Sequence, residues 1–250
     1  MSPPADADIR LHPDLESISA AVAESLVQAA AAAITERSWF SLALSGGDTP
    51  RGLFRVLRRD HEKRIPWLRV EIFWVDERYV PDQDPRSNYE VARREWMATS
   101  PIPRENVHPM PTDLPDPEAA AQQYERVLRA HFLRDRPRFD FMLLGIGRDC
   151  HTASLFPGSQ ALTEETRWVV SVRAPADPPQ RLTLTLPVIN SARSVHFLVS
   201  GAEKSEALKR AVEGEADAMS CPASAVRPTD GKVVWWVDEA AAQGLSTARR

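Results

Sequence analysis

His151 is the residue around which a reaction can be built. It lies in the run Gly145-Ile146-Gly147-Arg148-Asp149-Cys150-His151-Thr152-Ala153-Ser154-Leu155-Phe156-Pro157, two places after Asp149, where apolar residues are too few to bury both as core. An unperturbed imidazole titrates near ~6.5, which suits it to general-base work at neutral pH. On local sequence alone, a structural histidine satisfied by nearby polar groups fits equally well.

Candidate anion-binding groups lie elsewhere along the chain. Asp76-Glu77-Arg78-Tyr79-Val80 follows an apolar run and leads on to Ser87-Asn88-Tyr89. Arg78 can hold a phosphate or carboxylate through its planar fork of donors. Asp76 can orient a histidine or bind a sugar hydroxyl. The bland alternative is a surface loop whose charges pair with one another. Lys204, in Gly201-Ala202-Glu203-Lys204, offers a compact point charge at a helix start, or simply a solvated helix face. The chain has only four lysines, Lys63, Lys204, Lys209 and Lys232, so a lysine in a substrate-facing place is less easily background. In Ser45-Gly46-Gly47-Asp48-Thr49-Pro50, Gly46 and Gly47 allow backbone to approach an anion at a helix N-terminus. Asp48 suits that role only if its carboxylate points away.

Other chemistries lack their residues. There is no G-x-S-x-G nucleophile elbow, and Ser45 or Ser154 would need an unassigned base. No P-loop or dinucleotide fingerprint is present, because Cys150 stands where the run from Gly145 to Gly147 would need its third glycine. No histidine–carboxylate cluster has zinc spacing along the chain, so no metal is expected. Cys150 and Cys221, the only cysteines, read as free thiols suited to a reducing compartment.

These segments need elements to position them. Helical patterns cover 15–36, with alanine and aliphatic residues in excess, then 87–96, 117–132, 203–212 and a short stretch after 237. Thr49 and Pro50 read as the N-cap and first position of another helix. Strand patterns fall at 39–44, 69–75, 139–144, 167–172, 181–186, 195–199 and 233–237. Helix and strand alternate, which predicts an α/β sheet fold. Loops 45–50, 76–88 and 145–158 each follow a strand, and in open parallel sheets ligands bind beyond the carboxyl ends of strands. One domain over residues 1–250 is predicted, with a small excursion after His151.

Composition narrows the partners. At 250 residues, 43% hydrophobic and 26% charged, the chain can bury a sizeable core. A net charge of −4 gives no basic footprint for nucleic acid or anionic membrane. The first residues, MSPPADADIRLHPD, do not have the pattern of a signal peptide. The apolar stretch from Ser25 to Ile34, broken by Gln28, falls short of the ~20 residues that span a bilayer. A cytoplasmic location is expected.

Taken together, SLALSGGDTPRGLF, IFWVDERYVPDQDPRSNY, FDFMLLGIGRDCHTASLFPGS, RLTLTLPVIN and VSGAEK resemble, in order, the 6-phosphogluconolactonase family, a branch of the group that includes glucosamine-6-phosphate deaminases. The resemblance implies a three-layer α/β/α fold with a largely parallel central sheet, related to the deaminase-like fold, and no required cofactor. It implies hydrolysis of 6-phospho-D-glucono-1,5-lactone to 6-phospho-D-gluconate, in the oxidative pentose phosphate pathway, by a monomer or weak homo-oligomer. By motif, His151 corresponds to the general base and Asp76 to its assistant. Arg78 and Lys204 correspond to phosphate-binding residues, Gly46 and Gly47 to a backbone cradle, and Asn88, Asp149 and Arg181 to further substrate-side positions.

The family usually has glycine where Cys150 stands. If that position needs φ > 0, cysteine costs about 1 kcal/mol or more there. Two rivals stand beside the lactonase. An amino-sugar-phosphate isomerase/deaminase usually carries Asn-Glu-Pro after the histidine, where this chain has Leu155-Phe156-Pro157. A non-catalytic sugar-phosphate-binding regulator would keep the cradle and lose the chemistry.

Overall fold

In the computed structural model, which describes residues 7–133 and 135–246, the apolar runs become strands with helices between them. The first half contains β1 (Asp8–His12), α1 (Leu15–Arg37), β2 (Phe40–Leu44), α2 (Thr49–Val56), β3 (Val70–Trp74), β4 (Asp76–Arg78) and α3 (Asn88–Glu95). Next come β5 (Val107–His108), α4 (Pro117–Phe132), β6 (Phe141–Leu144), β7 (Val169–Arg173) and β8 (Gln180–Leu184). The chain continues through α5 (Leu186–Ile189), β9 (Ser194–Val199), α6 (Ser205–Glu213), β10 (Lys232–Asp238) and α7 (Glu239–Ala242).

Seven strands form one sheet in the order β1-β10-β9-β6-β2-β3-β5, and every neighbouring pair is parallel. All five residues of β2 and all six of β9 are buried. A strand buried on both faces needs cover on both sides, which is why these runs read as continuously apolar rather than alternating. Helices supply that cover. α1 starts at Asp14, whose side chain accepts from the Ser17 N–H at 2.8 Å, and stops at Ser38 in the left-handed region. By length and composition α1 could cross a membrane; here Ile18, Val22, Leu26, Ala30 and Ala33 are buried in the core, at the spacing of one helical face.

A second sheet, antiparallel in the order β4-β8-β7, stands beside the first. Val75 joins the two: its N–H donates to Leu44 in β2, and its carbonyl accepts from Leu184 in β8, both at 2.8 Å. Residues 76–78, expected in a loop, are therefore strand. Three charged residues carry no strand pattern of their own, and β8 imposes the conformation by pairing. β1 and the two-residue β5 also lie outside the predicted strands. At α2 the N-cap is Asp48, with Thr49 and Pro50 inside the first turn.

The reading of the cysteines as free thiols is overturned. Cys150 and Cys221 form a disulfide across 71 residues, with Cα atoms 4.8 Å apart, inside the range a disulfide needs. A separation that long leaves no local signature. Both residues are buried, and Ala223 N–H donates to the Cys150 carbonyl at 3.1 Å. The turn after Cys221 is thereby fastened to the loop that carries His151, and the thiol argument for a reducing compartment falls.

Candidate active site

β9, β6, β2 and β3 are consecutive in the parallel sheet, so the segments that follow them emerge side by side at one edge. They enclose a cleft of about 310 Å³. Gly46, Gly47, Asp76, Arg78, Asn88, His151, Arg181 and Lys204 all line it. Asp149 does not. It lies behind the wall, where its Oδ1 meets His151 Nδ1 at 2.5 Å and also accepts from the His151 N–H.

That pairing defines the histidine's chemistry. A carboxylate only accepts, so Nδ1 carries a proton, and in the neutral ring Nε2 is the nitrogen with the free lone pair. Burial pushes the Asp149 carboxyl up, but the hydrogen bond and charge of His151 outweigh it and hold the group below the usual aspartate value. Phe156 packs on the ring with centroids 4.5 Å apart. Gly147 must be glycine for this arrangement, because a Cβ there would overlap His151 Nδ1 and Cε1. Cys150 has φ 75, the left-handed backbone that makes glycine the easier residue before the histidine.

Asp76 has different partners. Its Oδ2 accepts from Ser154 Oγ at 2.7 Å, and its carbonyl accepts from Asn88 Nδ2 at 2.8 Å. Asn88 in turn lies so near the first turn that any Cβ on Gly46 would overlap its side chain. Gly46 is thus required by packing. Glu77 points to the opposite face of β4 and accepts from the backbone N–H groups of Arg78, Asn88 and Tyr89 at 2.7–2.8 Å. It fixes the loop that presents Asn88. Burial pushes its carboxyl up to about 7, against those three donors. Asp48 also lines the cleft, with its side chain almost wholly exposed and paired with Arg51 at 3.2 Å.

The cations converge through strand register. Arg78 in β4 and Arg181 in β8 are direct antiparallel partners, so both guanidinium groups leave the same face. Like charges directly opposite each other are unfavourable. Among the described residues neither forms an ion pair, their nearest acceptors being the carbonyls of Arg86 and Pro178. Arg181 is 7% exposed, and burial together with the charge of Arg78 lowers its pKa. Lys204 approaches from the turn before α6 and forms no ion pair among the described residues. Three cations without ion-pair partners among the described residues thus line one cleft, an arrangement whose chemistry suits a multiply charged anion. Ser154 and Glu77 were not singled out from sequence; nothing local marks them, since their importance comes from partners 78 and 11–12 residues away.

Residues 13–235 match the family model for glucosamine-6-phosphate isomerases/6-phosphogluconolactonase. The chain belongs to this family. Among its relatives, a 6-phosphogluconolactonase of Synechocystis is 44% identical over 216 residues, covering 85% of this chain and 88% of the relative. The 6-phosphogluconolactonase of Mycobacterium tuberculosis is 40% identical, covering 95% and 98%. The solved 6-phosphogluconolactonase of Trypanosoma brucei superposes with a TM-score of 0.85 at 29% identity, covering 96% of this chain and 99% of that one. The family fold extends to a monomeric glucosamine-6-phosphate deaminase, at a TM-score of 0.77 and 23% identity, a likeness of fold alone.

Proposed function

We propose that this protein is a 6-phosphogluconolactonase, hydrolysing 6-phospho-D-glucono-1,5-lactone to 6-phospho-D-gluconate. One observation carries the reading: an imidazole held by Asp149 lines the same cleft as three cations without ion-pair partners among the described residues. The cations take the 6-phosphate and orient the sugar. His151 Nε2 removes a proton from water as the oxygen attacks C1, giving a tetrahedral oxyanion. The bond from C1 to the ring oxygen then breaks, and the imidazolium returns its proton to that oxygen. Orientation by the phosphate makes the attack effectively intramolecular.

Leu155, wholly buried, and Phe156, packed on the His151 ring, supply no carboxylate at the position where the deaminase branch carries one. The reading extends to a single catalytic domain over residues 1–250, acting in the cytoplasm on a small phosphosugar, as a monomer or weak homo-oligomer.

The test is a dehydrogenase-coupled assay on freshly made lactone, corrected for spontaneous hydrolysis. His151→Ala should lower kcat by ~10²–10⁴ with KM little changed. Full kcat in that variant, or ammonia release from glucosamine 6-phosphate by the wild type, refutes the proposal.

A further inference from the structure

A second cluster of chemically capable side chains lies toward the other end of β3. Glu71 is the second residue of that strand, whereas the cleft begins beyond its last residue, Trp74. Side chains alternate along a strand, so Glu71 shares a face with Phe73. His108 is the register partner of Phe73 in β5, and their rings stack with centroids 4.6 Å apart. His131, in the last turn of α4, completes the group by packing edge-on against Phe73 at 5.2 Å.

Both imidazoles aim Nε2 at one oxygen. Glu71 Oε2 lies 2.8 Å from His108 Nε2 and 3.3 Å from His131 Nε2, and the donor atoms of all three residues lie within 4.8 Å of one another. Among the described residues Glu71 has no Lys or Arg partner. We propose that Glu71, His108 and His131 form a binding site for a divalent transition ion of the zinc class. Zinc takes imidazole nitrogen and carboxylate oxygen at ~2.0–2.2 Å, and tetrahedral bonds of that length separate neighbouring ligand atoms by roughly 3.3 Å. Glu71 Oε2 already stands at or near that spacing from both imidazoles, and no pair of ligand atoms is more than 4.8 Å apart.

Two imidazoles and one carboxylate favour zinc or its neighbours over the oxygen-seeking magnesium and calcium. The side chains of Glu71 and His131 remain 20% and 28% exposed, so solvent can supply a fourth ligand. His131 stands in the final turn of its helix, where the backbone dipole also favours positive charge. The site is structural, because it lies away from His151 and joins three elements distant in sequence. It ties the two-residue β5 and the end of α4 to β3.

The test uses the full chain without an affinity tag, stripped with chelator and titrated with Zn²⁺. Calorimetry, metal content after gel filtration and thermal melting are the readouts. One zinc per chain is expected, with a rise in Tm. His131→Gln should weaken binding by at least about 100-fold and abolish the rise in Tm, while leaving lactone hydrolysis unchanged. His151→Ala should bind zinc as the wild type does. Should His108→Gln fail to fold, His131→Gln still decides, because its residue is the most exposed of the three. Absence of stoichiometric zinc in the wild type overturns the proposal. So does undiminished binding in His131→Gln, or loss of binding in His151→Ala, which would put the ion in the cleft.

Discussion

Replacing Gly147 with alanine separates placement of the base from substrate binding. The backbone tolerates the change, since Gly147 is not among the residues with positive φ. The added methyl would overlap the His151 ring and lie 2.5 Å from Asp149 Oδ1, whereas ordinary contact begins near 3.4 Å. The ring and its carboxylate must therefore retreat by about an ångström. Misplacing a reacting group by that much costs ~10²-fold in rate, or roughly 2.7 kcal/mol of barrier. Arg78, Arg181 and Lys204 are untouched, so KM should stay within about threefold. Steady-state lactone hydrolysis measures both constants, and thermal melting checks the fold. In a His151→Ala background the same change should cost nothing further, because there is no ring left to displace. A variant with kcat within about threefold of wild type refutes the reasoning, as does an equal loss without the imidazole.

Arg78→Ala removes one half of the cation pair and should raise KM by ~10–100-fold, the worth of a charged hydrogen bond, with a smaller effect on kcat; an unchanged KM would place the phosphate elsewhere. Glu77 provides a pH test. Its folded value of about 7 lies above the ordinary glutamate value of 4.5, so its stabilising contribution is complete below 4.5 and lost as pH rises through 7. Relative to Glu77→Gln, the wild type should lose stability between about pH 5 and about pH 8 in thermal melts; parallel curves would refute this. His196 works in the opposite sense. It is buried against Phe141, accepts from Trp236 Nε1 at 3.0 Å, and burial lowers its pKa from 6.5 to about 3. Its contribution is present above 6.5 and lost as pH falls toward 3, so melts of His196→Gln should show a shallower acid decline than the wild type.

Much of the scaffold was legible because it rests on local pattern. The predicted helix at 117–132 matches α4, and the apolar strands ending at 44, 144 and 199 match β2, β6 and β9. β6, β2 and β3 are neighbours in the sheet, so the expected convergence of loops 45–50, 76–88 and 145–158 on one cleft is met. His151, Arg78 and Lys204 were recoverable because each follows such a strand. What stayed hidden depends on partners distant in the chain. Asp76-Glu77-Arg78 becomes a strand only when Arg181 and its neighbours pair with it. Sequence alone did not choose between Asp76 and Asp149 as the partner of His151; the fold turns Asp76 toward Ser154 and leaves Asp149 on the ring. Cys150 and Cys221 meet through packing of the turn at 222–225, which no spacing rule anticipates.

The opposed guanidinium groups of Arg78 and Arg181 have a kinetic consequence for the proposed lactonase. The phosphate they would hold lies at the far end of the sugar from C1 and is the same before, during and after ring opening. As a source of binding energy such a handle favours reactant, transition state and product alike, so it improves capture of dilute lactone, and it acts on the barrier only by orienting the sugar. The opened acid leaves against the same attraction. An enzyme built this way trades rapid discharge for efficient scavenging, and accumulated product will compete for its cleft.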